Sequence, residues 1–292
     1  MPELPEIVTY LEALEPRIVG QPLERIRLKS FSLLKTFDPP TSAVEGTTVT
    51  GLSRIGKRIV WEFDELFLVF HLMIAGRMRW RDSGAALPGR IGLAAFDFPT
   101  GTVLLTEAGT KRRASLHVIQ GREALADIDP GGIEVIGSTP EQFRDGLLAE
   151  RHTLKRALSD ARFISGIGGA FADEILHRAR LSPMQMNTNL DENEIAALHL
   201  AAEAVLVEWI ERRRADVGDE FPEKVTAFHE AMAVHGKFGE PCPVCETPVQ
   251  RIVYASRETN YCPTCQTGGK VLSDRSLSRL LKDDWPKTVD DL

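Results

Sequence analysis

The chain has 292 residues, of which 43% are hydrophobic and 26% charged, a balance typical of a globular protein with a sizeable core. Its apolar runs fall short of a membrane span, and its start lacks a basic segment leading into an apolar one, so we expect a bacterial-type cytoplasmic protein. The net charge of −7 argues mildly against a nucleic-acid partner, although net charge does not exclude a local basic site.

The first part of the chain predicts one helix followed by many strands. Apolar residues at helical spacing predict a helix over residues 3–20, which Gly20 and Pro22 would end. Residues 23–120 then contain short apolar or alternating runs separated by turn-forming residues. Short strands separated by turns at such regular intervals are typical of a β-sandwich. The run at 129–132, which is rich in glycine and proline, predicts the linker that leaves it.

The second part of the chain predicts helices and a short tail. From residue 139 the apolar spacing is helical, and Asp191 with Glu194 predicts a capping box ahead of a long helix over 192–214. The tail contains four cysteines and a short basic helix near 273–282. Basic residues outnumber acidic ones over 151–180 and 237–282, which is consistent with a basic groove or with solvated mixed faces.

The four cysteines form two C-x-x-C pairs, Cys242 with Cys245 and Cys262 with Cys265. Two such pairs at this separation predict a tetrahedral site in which four cysteines hold one structural zinc ion. Two disulfides or a redox dithiol are the alternatives, and both are less consistent with a cytoplasmic chain that has two pairs. Because thiolates fill all four positions, the metal would hold a hairpin and would not catalyse.

The N-terminal sequence Met1-Pro2-Glu3-Leu4-Pro5-Glu6 allows two interpretations. Proline and acidic residues suit the first turn of a helix for structural reasons alone. Alternatively, removal of Met1 would expose the secondary amine of Pro2, a good nucleophile towards carbonyl carbon, with Glu3 and Glu6 beside it as proton donors or acceptors.

A glycine-rich turn at 164–174 precedes a predicted helix and also allows two interpretations. The backbone N–H groups of a Gly-x-Gly-Gly turn at a helix start can bind a phosphate. The same turn can equally be a packing turn between helices. The turn, the N-terminal sequence and the four cysteines are far more specific together than any one of them alone.

Taken together, these motifs resemble the formamidopyrimidine-DNA glycosylase and endonuclease VIII family, and the opening PELPE is closer to the formamidopyrimidine branch. The resemblance extends from Pro2 to Cys265. It implies an α+β multidomain fold with an N-terminal helix plus β-sandwich, a helical helix-two-turn-helix domain and a C-terminal four-cysteine zinc finger. We expect boundaries at 1–130, 139–235 and 236–268, followed by a C-terminal extension over 269–292.

The resemblance implies a bifunctional DNA glycosylase and abasic-site lyase that excises oxidised bases, with oxidised purines as the expected substrates, in base excision repair. Pro2 would attack the sugar C1′ and form a Schiff base, and Glu3 would protonate the ring oxygen. Glu6 would assist them, Lys57, expected on a strand, would contact phosphate, and Arg257 on the zinc hairpin would hold the phosphates that flank the lesion.

The resemblance also implies DNA-binding residues, some of which depart from the family pattern. Gly169 stands where the family has an asparagine, Ile74 where it has a wedge methionine, and Arg90 near a family histidine. The Arg-Phe wedge of the formamidopyrimidine branch is not recognisable, and we expect Arg112 or Arg113 to contact the orphaned base in its place. The remaining implied contacts are His71, Arg151 and Lys155. We expect a monomer that binds duplex DNA containing damaged bases or abasic sites. A non-catalytic binder of damaged DNA is the alternative, and an RNA-binding protein is a remote third.

Overall fold

The computed structural model describes residues 1–223, 225, 228–254, 257–274, 280–281 and 285–292. The chain forms two compact units, one of Met1–Pro130 with Trp209–Ala227 and one of Gly131–Glu208 with Phe228–Leu292. The helices are α1 Leu4–Ile18, α2 Arg122–Ala126, α3 Pro140–Leu148, α4 Leu154–Ser159, α5 Gly169–Arg178, α6 Glu192–Val217 and α7 Pro263–Thr267. The strands are β1 Arg25–Leu28, β2 Gly51–Ile55, β3 Arg58–Phe63, β4 Leu66–His71, β5 Gly76–Arg81, β6 Gly92–Phe98, β7 Gly101–Glu107, β8 Ser115–Gln120, β9 Gln250–Tyr254 and β10 Arg257–Tyr261.

The first unit is a helix packed with a sandwich of two antiparallel four-stranded sheets. The strand orders are β1-β6-β7-β5 and β2-β3-β4-β8. Aromatic side chains join the two sheets: the ring of Trp61 on β3 lies 5.2 Å from that of Phe96 on β6, and Phe70 on β4 lies at the same distance from Phe96. The buried face of α1 joins this core through Ile7 and Leu14. The predicted helix and β-sandwich are confirmed.

The second unit is mainly helical and contains a two-stranded hairpin in its C-terminal part. At the start of α6 the backbone N–H of Asp191 donates to Glu194 at 2.9 Å, and that of Glu194 donates to Asp191 at 2.8 Å. The predicted capping box is therefore present. Helix α6 continues to Val217, three residues beyond the predicted end at 214, because the first residue that favours termination is Gly218 with φ +56°.

The hairpin pairs β9 with β10, from Gln250 opposite Tyr261 to Tyr254 opposite Arg257. Among the described residues, the helices are too short or too polar to cross a membrane. Of the basic helix predicted near 273–282, residues 275–279 and 282 lie outside the described residues. Residues 273–274 are not helical, whereas 280–281 are.

Candidate active site and metal site

The start of α1 buries two carboxylates at the N-terminus of the chain. Pro2 and Glu3 are buried immediately before the helix, and Glu6 lies in its first turn with 1% of its surface exposed. The Glu6 carboxylate accepts the backbone N–H of Glu3 at 2.8 Å, which fixes the entry of the chain into the helix. Pro5 fits the first turn of α1 because a backbone N–H at that position has no acceptor within the helix. The missing N–H of proline therefore costs no hydrogen bond.

Arg213 from the C-terminal end of α6 pairs with Glu6. Its Nε and Nη2 atoms lie 3.1 and 3.0 Å from one Glu6 oxygen, and its side chain is 8% exposed. Burial raises the pKa of Glu6 to about 7, and the guanidinium of Arg213 opposes that rise. No signal in the sequence connects these two residues, since they are 207 positions apart.

The terminal amine, which here belongs to Met1, lies among four charged groups. The sequence singled out Glu3, Glu6 and Lys57 but not Arg77. The pKa of the amine is lowered from 8.0, chiefly by burial and further by the charges of Arg77 and Lys57, while Glu3 and Glu6 oppose the shift. A lowered pKa leaves more of the amine neutral, which is its nucleophilic form. Lys57 was expected on a strand, but it lies in the two-residue turn between β2 and β3, after Gly56 with φ +56°. The turn needs a residue with positive φ, which Gly56 supplies. The two strands therefore end on either side of the pair Gly56 and Lys57.

His71 ends β4 opposite Arg58 on β3. Burial, followed by the charges of Arg58 and Lys57, lowers the pKa of His71 to about 4. The imidazole is therefore neutral near pH 7 and can act there as a hydrogen-bonding group but not as a cation.

Ile74 lies at the tip of the turn between β4 and β5 with 57% of its surface exposed. Arg77 supports this turn from β5, since its Nη1 donates to the carbonyl oxygens of Ile74 at 3.2 Å and Gly76 at 2.6 Å. Gly76 cannot carry a side chain, because a Cβ there would lie 2.3 Å from the Leu72 oxygen. The turn thus presents an exposed apolar side chain on a supported backbone.

Arg90, Arg112 and Arg113 are exposed on loops of the sandwich. The carboxylate of Glu107, at the end of β7 and 2% exposed, accepts the backbone N–H of Arg113 at 3.0 Å and of Ala114 at 3.2 Å. Arg112 donates to the carbonyl oxygen of Arg90. Sequence reasoning did not identify Glu107, which organises the loop that carries two of the predicted contacts.

In the second unit, Gly169 is the first residue of α5. A Cβ built on Gly169 meets nothing within 4 Å, and its φ is not positive. The helix start is therefore open to an approaching group, and glycine is not required there by its backbone conformation. Arg151 is exposed in the loop before α4.

Lys155 is already engaged within the second unit. Its ammonium group lies 2.5 Å from Asp173 on α5 and donates to the carbonyl oxygen of Glu258 on β10 at 3.0 Å. Asp173 is fully buried and also bonds His235 at 2.8 Å. A phosphate contact by Lys155 would have to be shared with these bonds.

Glu174, beside Asp173, holds the segment that leads into the cysteine module. Its carboxylate accepts the backbone N–H groups of Ala233, Val234 and His235 at 2.8–2.9 Å. His177, one turn further along α5 and 7% exposed, lies 3.3 Å from the sulfur of Cys242. One face of α5 therefore positions the module, a role that sequence patterns did not indicate.

The four cysteine sulfurs lie within 4.8 Å of one another. Three of their separations are 3.3 Å (Cys245 to Cys262), 3.5 Å (Cys245 to Cys265) and 3.9 Å (Cys242 to Cys265), far longer than a disulfide bond of about 2.05 Å. Tetrahedral ligation by zinc, with metal–sulfur bonds of about 2.3 Å, would separate the sulfurs by about 3.8 Å. The cluster therefore fits one metal ion, and the small core around it, in which Val234 and Val249 are the buried aliphatic residues, explains why the module needs one.

Arg257 begins β10, where its backbone pairs with Tyr254. Its side chain lies outside the described residues, so its predicted contact with phosphate remains a prediction. The predicted site residues are divided between the two units: Arg151, Lys155, Gly169, Arg257 and the cysteines belong to the second, and the others to the first.

Three family models match consecutive parts of the chain. They are the formamidopyrimidine-DNA glycosylase N-terminal domain over 1–115, the formamidopyrimidine-DNA glycosylase H2TH domain over 136–219, and the zinc finger found in FPG and IleRS over 239–268. The chain is 32% identical to the formamidopyrimidine-DNA glycosylase of Thermus thermophilus over 279 residues, which cover 92% of this chain and all of that protein. It is 31% identical to that of Symbiobacterium thermophilum over 283 residues, which cover 91% and 89% of the two chains.

Solved structures of the same enzyme class have the same fold. The Lactococcus lactis enzyme bound to DNA containing an abasic site has a TM-score of 0.79 at 26% identity, covering 91% of this chain and 99% of that one. The same enzyme bound to DNA containing an oxidised pyrimidine has a TM-score of 0.81 at 26% identity, covering 91% and 100%. The chain therefore belongs to the formamidopyrimidine-DNA glycosylase family, a family of DNA glycosylases of base excision repair.

Proposed function

We propose that this protein is a bifunctional glycosylase and abasic-site lyase that acts on oxidised bases, with oxidised purines such as formamidopyrimidines as its main substrates. The observation that carries the proposal is the N-terminal segment, in which Pro2, Glu3 and Glu6 are buried together. The amine of Met1, which precedes them, has a lowered pKa and lies among Glu3, Glu6, Lys57 and Arg77. After removal of Met1, the secondary amine of Pro2 would occupy these surroundings.

The reaction would begin with attack of the Pro2 nitrogen on the sugar C1′. The bond from C1′ to the damaged base breaks, and the base leaves with its electron pair and a proton. Glu3 donates a proton to the ring oxygen, the ring opens, and an iminium ion joins Pro2 to C1′. Loss of a proton from the adjacent carbon then expels the 3′ phosphate and cuts the strand. Glu6, which holds the backbone of Glu3, acts as a positioning residue.

DNA would be held by groups of both units. In the first unit, Ile74 would fill the gap left by the displaced nucleotide, and His71, Arg90, Arg112 and Arg113 would contact the strands. In the second, the N-terminus of α5 at Gly169 would bind a phosphate through backbone N–H groups, with Arg151 and Lys155 nearby in sequence. Arg257 would hold the phosphates flanking the lesion, and Lys57 a further phosphate.

The metal is proposed to be one structural zinc ion held by Cys242, Cys245, Cys262 and Cys265. When bound, it stabilises the hairpin and supplies no catalytic water, because thiolates occupy all four positions. We also propose that the chain acts as a monomer in the bacterial cytoplasm, with functional segments at 1–130, 139–235, 236–268 and 269–292.

Borohydride trapping on a duplex with an abasic site tests the proposal, because reduction of the iminium ion leaves a permanent adduct. Protein with an intact mass lacking Met1 should be trapped, whereas protein with an N-terminal tag that retains Met1, and the Pro2→Gly variant, should lose trapping while still binding DNA. A C-terminally tagged protein is the matched control. Efficient trapping of the N-terminally tagged form would exclude Pro2 as the nucleophile.

The Glu3→Gln variant separates the two activities. Base excision should be lost, because no acid protonates the sugar, while some cleavage of preformed abasic sites should remain. Excision at the wild-type rate would show that Glu3 is not the acid. If wild-type protein bound damaged DNA but never formed an adduct, the alternative of a non-catalytic binder would hold.

A further inference from the structure

The residues after the zinc-finger match form a small structure of their own. The family model ends at residue 268, so residues 269–292 lie beyond it. Lys270 pairs with Thr288 in an antiparallel bridge. The N–H of Val271 donates to Lys287 at 2.9 Å, and the N–H of Val289 donates to Gly269 at 2.9 Å. Two separate pieces of the extension are therefore joined by backbone hydrogen bonds.

This structure is bonded to both strands of the zinc hairpin. The carboxylate of Asp274, 2% exposed, accepts the backbone N–H of Val253 on β9 at 2.7 Å. The hydroxyl oxygen of Tyr261, on β10, accepts the backbone N–H of Leu272 at 2.7 Å. Because β10 is the only strand that pairs with β9 among the described residues, the N–H of Val253 is an edge group that Asp274 satisfies.

The position of the Asp274 bond matters for the hairpin. A two-stranded hairpin is marginally stable on its own. The metal site holds one end, since Cys262 directly follows β10, whereas Arg257 lies at the other end, about 14 Å away along an extended strand. Val253 lies opposite Glu258, the neighbour of Arg257. The Asp274 bond therefore restrains the end of the hairpin that the metal does not.

We propose that residues 269–274 and 287–289, here the C-terminal brace, hold the zinc hairpin in the conformation that presents Arg257, and that Asp274 is a positioning residue for the reaction. This inference rests on the proposed function in assigning a role to Arg257. The brace acts through hydrogen bonds between backbone and side-chain groups of the brace and the hairpin, and it needs no contact of its own with DNA.

The direct test is hydrogen exchange of the Val253 amide, followed by NMR in full-length protein labelled with ¹⁵N-valine. Asp274→Leu keeps the number and branching of the side-chain heavy atoms, although leucine is larger, and removes the acceptor. We expect exchange to accelerate at least about tenfold, since hydrogen bonds to charged groups are strong. Asp274→Asn keeps an acceptor oxygen and should restore most of the protection. Asp290→Leu makes the same charge change at an exposed position of the extension and should have no effect. Unchanged exchange in Asp274→Leu would overturn the brace.

The functional test is cleavage of an abasic-site duplex. In Asp274→Leu we expect kcat to fall about tenfold with a smaller rise in KM, because a displaced Arg257 also loses its hold on the phosphates of the bound duplex. Asp274→Asn should recover most of both. Tyr261→Phe removes only a hydroxyl group and should give a smaller loss of the same kind, so the test survives a folding defect in Asp274→Leu. The salt slope of DNA affinity should fall by at most about 0.9, the share of the single phosphate contact that a displaced Arg257 would lose.

Two results would contradict the role given to the brace. Faster exchange of Val253 with unchanged kcat would show that the brace does not position Arg257 and would overturn the inference. A salt slope lowered by clearly more than the share of one cation, about 0.9, would assign the extension to direct DNA contact and would also overturn it. If wild-type protein formed no adduct with borohydride, the proposed function would fail, whereas the exchange result would still report on the brace itself.

Discussion

Replacing Gly169 with asparagine would introduce, at the start of α5, the residue that the resemblance to the family implies there. The substitution should fit, because a Cβ at Gly169 meets nothing within 4 Å and the backbone is not in the left-handed region. Removing a glycine from a compatible position lowers the entropy of the unfolded chain, so we expect the free protein to gain about 0.5 kcal/mol of stability. Gly169→Ala should gain a similar amount.

The two variants should differ in DNA affinity. The asparagine amide can donate a hydrogen bond to a phosphate oxygen, an interaction with a charged acceptor worth about 1.5–3 kcal/mol, or about 10- to 150-fold in affinity. Alanine has no donor and should leave affinity within about twofold of wild type. Because asparagine is neutral, the dependence of affinity on salt should be the same in all three proteins.

The assay is a salt titration of affinity for an abasic-site duplex, with urea unfolding of the free proteins measured in parallel. An equal gain in DNA affinity in Gly169→Ala and Gly169→Asn would contradict a hydrogen bond from the asparagine side chain to phosphate. Severe loss of affinity in both variants, with normal stability, would mean that the DNA backbone approaches α5 more closely than any side chain permits. In that case glycine is needed at residue 169 for the complex, although the free protein does not require it.

Further predictions concern stability and the metal. Burial raises the pKa of Glu6 from 4.5 to about 7, so the contribution of this group to stability is present below pH 4.5 and is lost as the pH rises to 7. Urea unfolding should therefore show wild type losing about 3 kcal/mol of unfolding free energy relative to Glu6→Gln over that range. Parallel plots of unfolding free energy against pH for the two proteins would refute this. Gly76→Ala places a Cβ 2.3 Å from the Leu72 oxygen and should cost about 2–3 kcal/mol of unfolding free energy, whereas Gly89→Ala, with open space, should cost less than about 0.5. Elemental analysis should find one zinc ion per chain and none in Cys242→Ser; a folded, active protein without zinc would disprove the assignment.

The sequence by itself determined the parts of this protein that depend on local spacing. The alternation of apolar runs and turns predicted the sandwich, and the pair Asp191 and Glu194 predicted the start of α6, because these signals act over a few residues. The two C-x-x-C pairs likewise predicted a cluster of four sulfurs, since each pair brings its own two thiols together in one turn. The resemblance to the family also depended on such short motifs.

The tertiary structure decided which distant residues support the predicted ones. Arg213 pairs with Glu6, Glu107 orders the loop of Arg113, and Asp274 bonds β9 at Val253. Each of these contacts buries a charged group, which is stable only where the fold brings donors and acceptors together. The sequence carries no periodic signal for such pairs, because the separation of the partners along the chain depends on how the elements pack and not on the conformation of either segment.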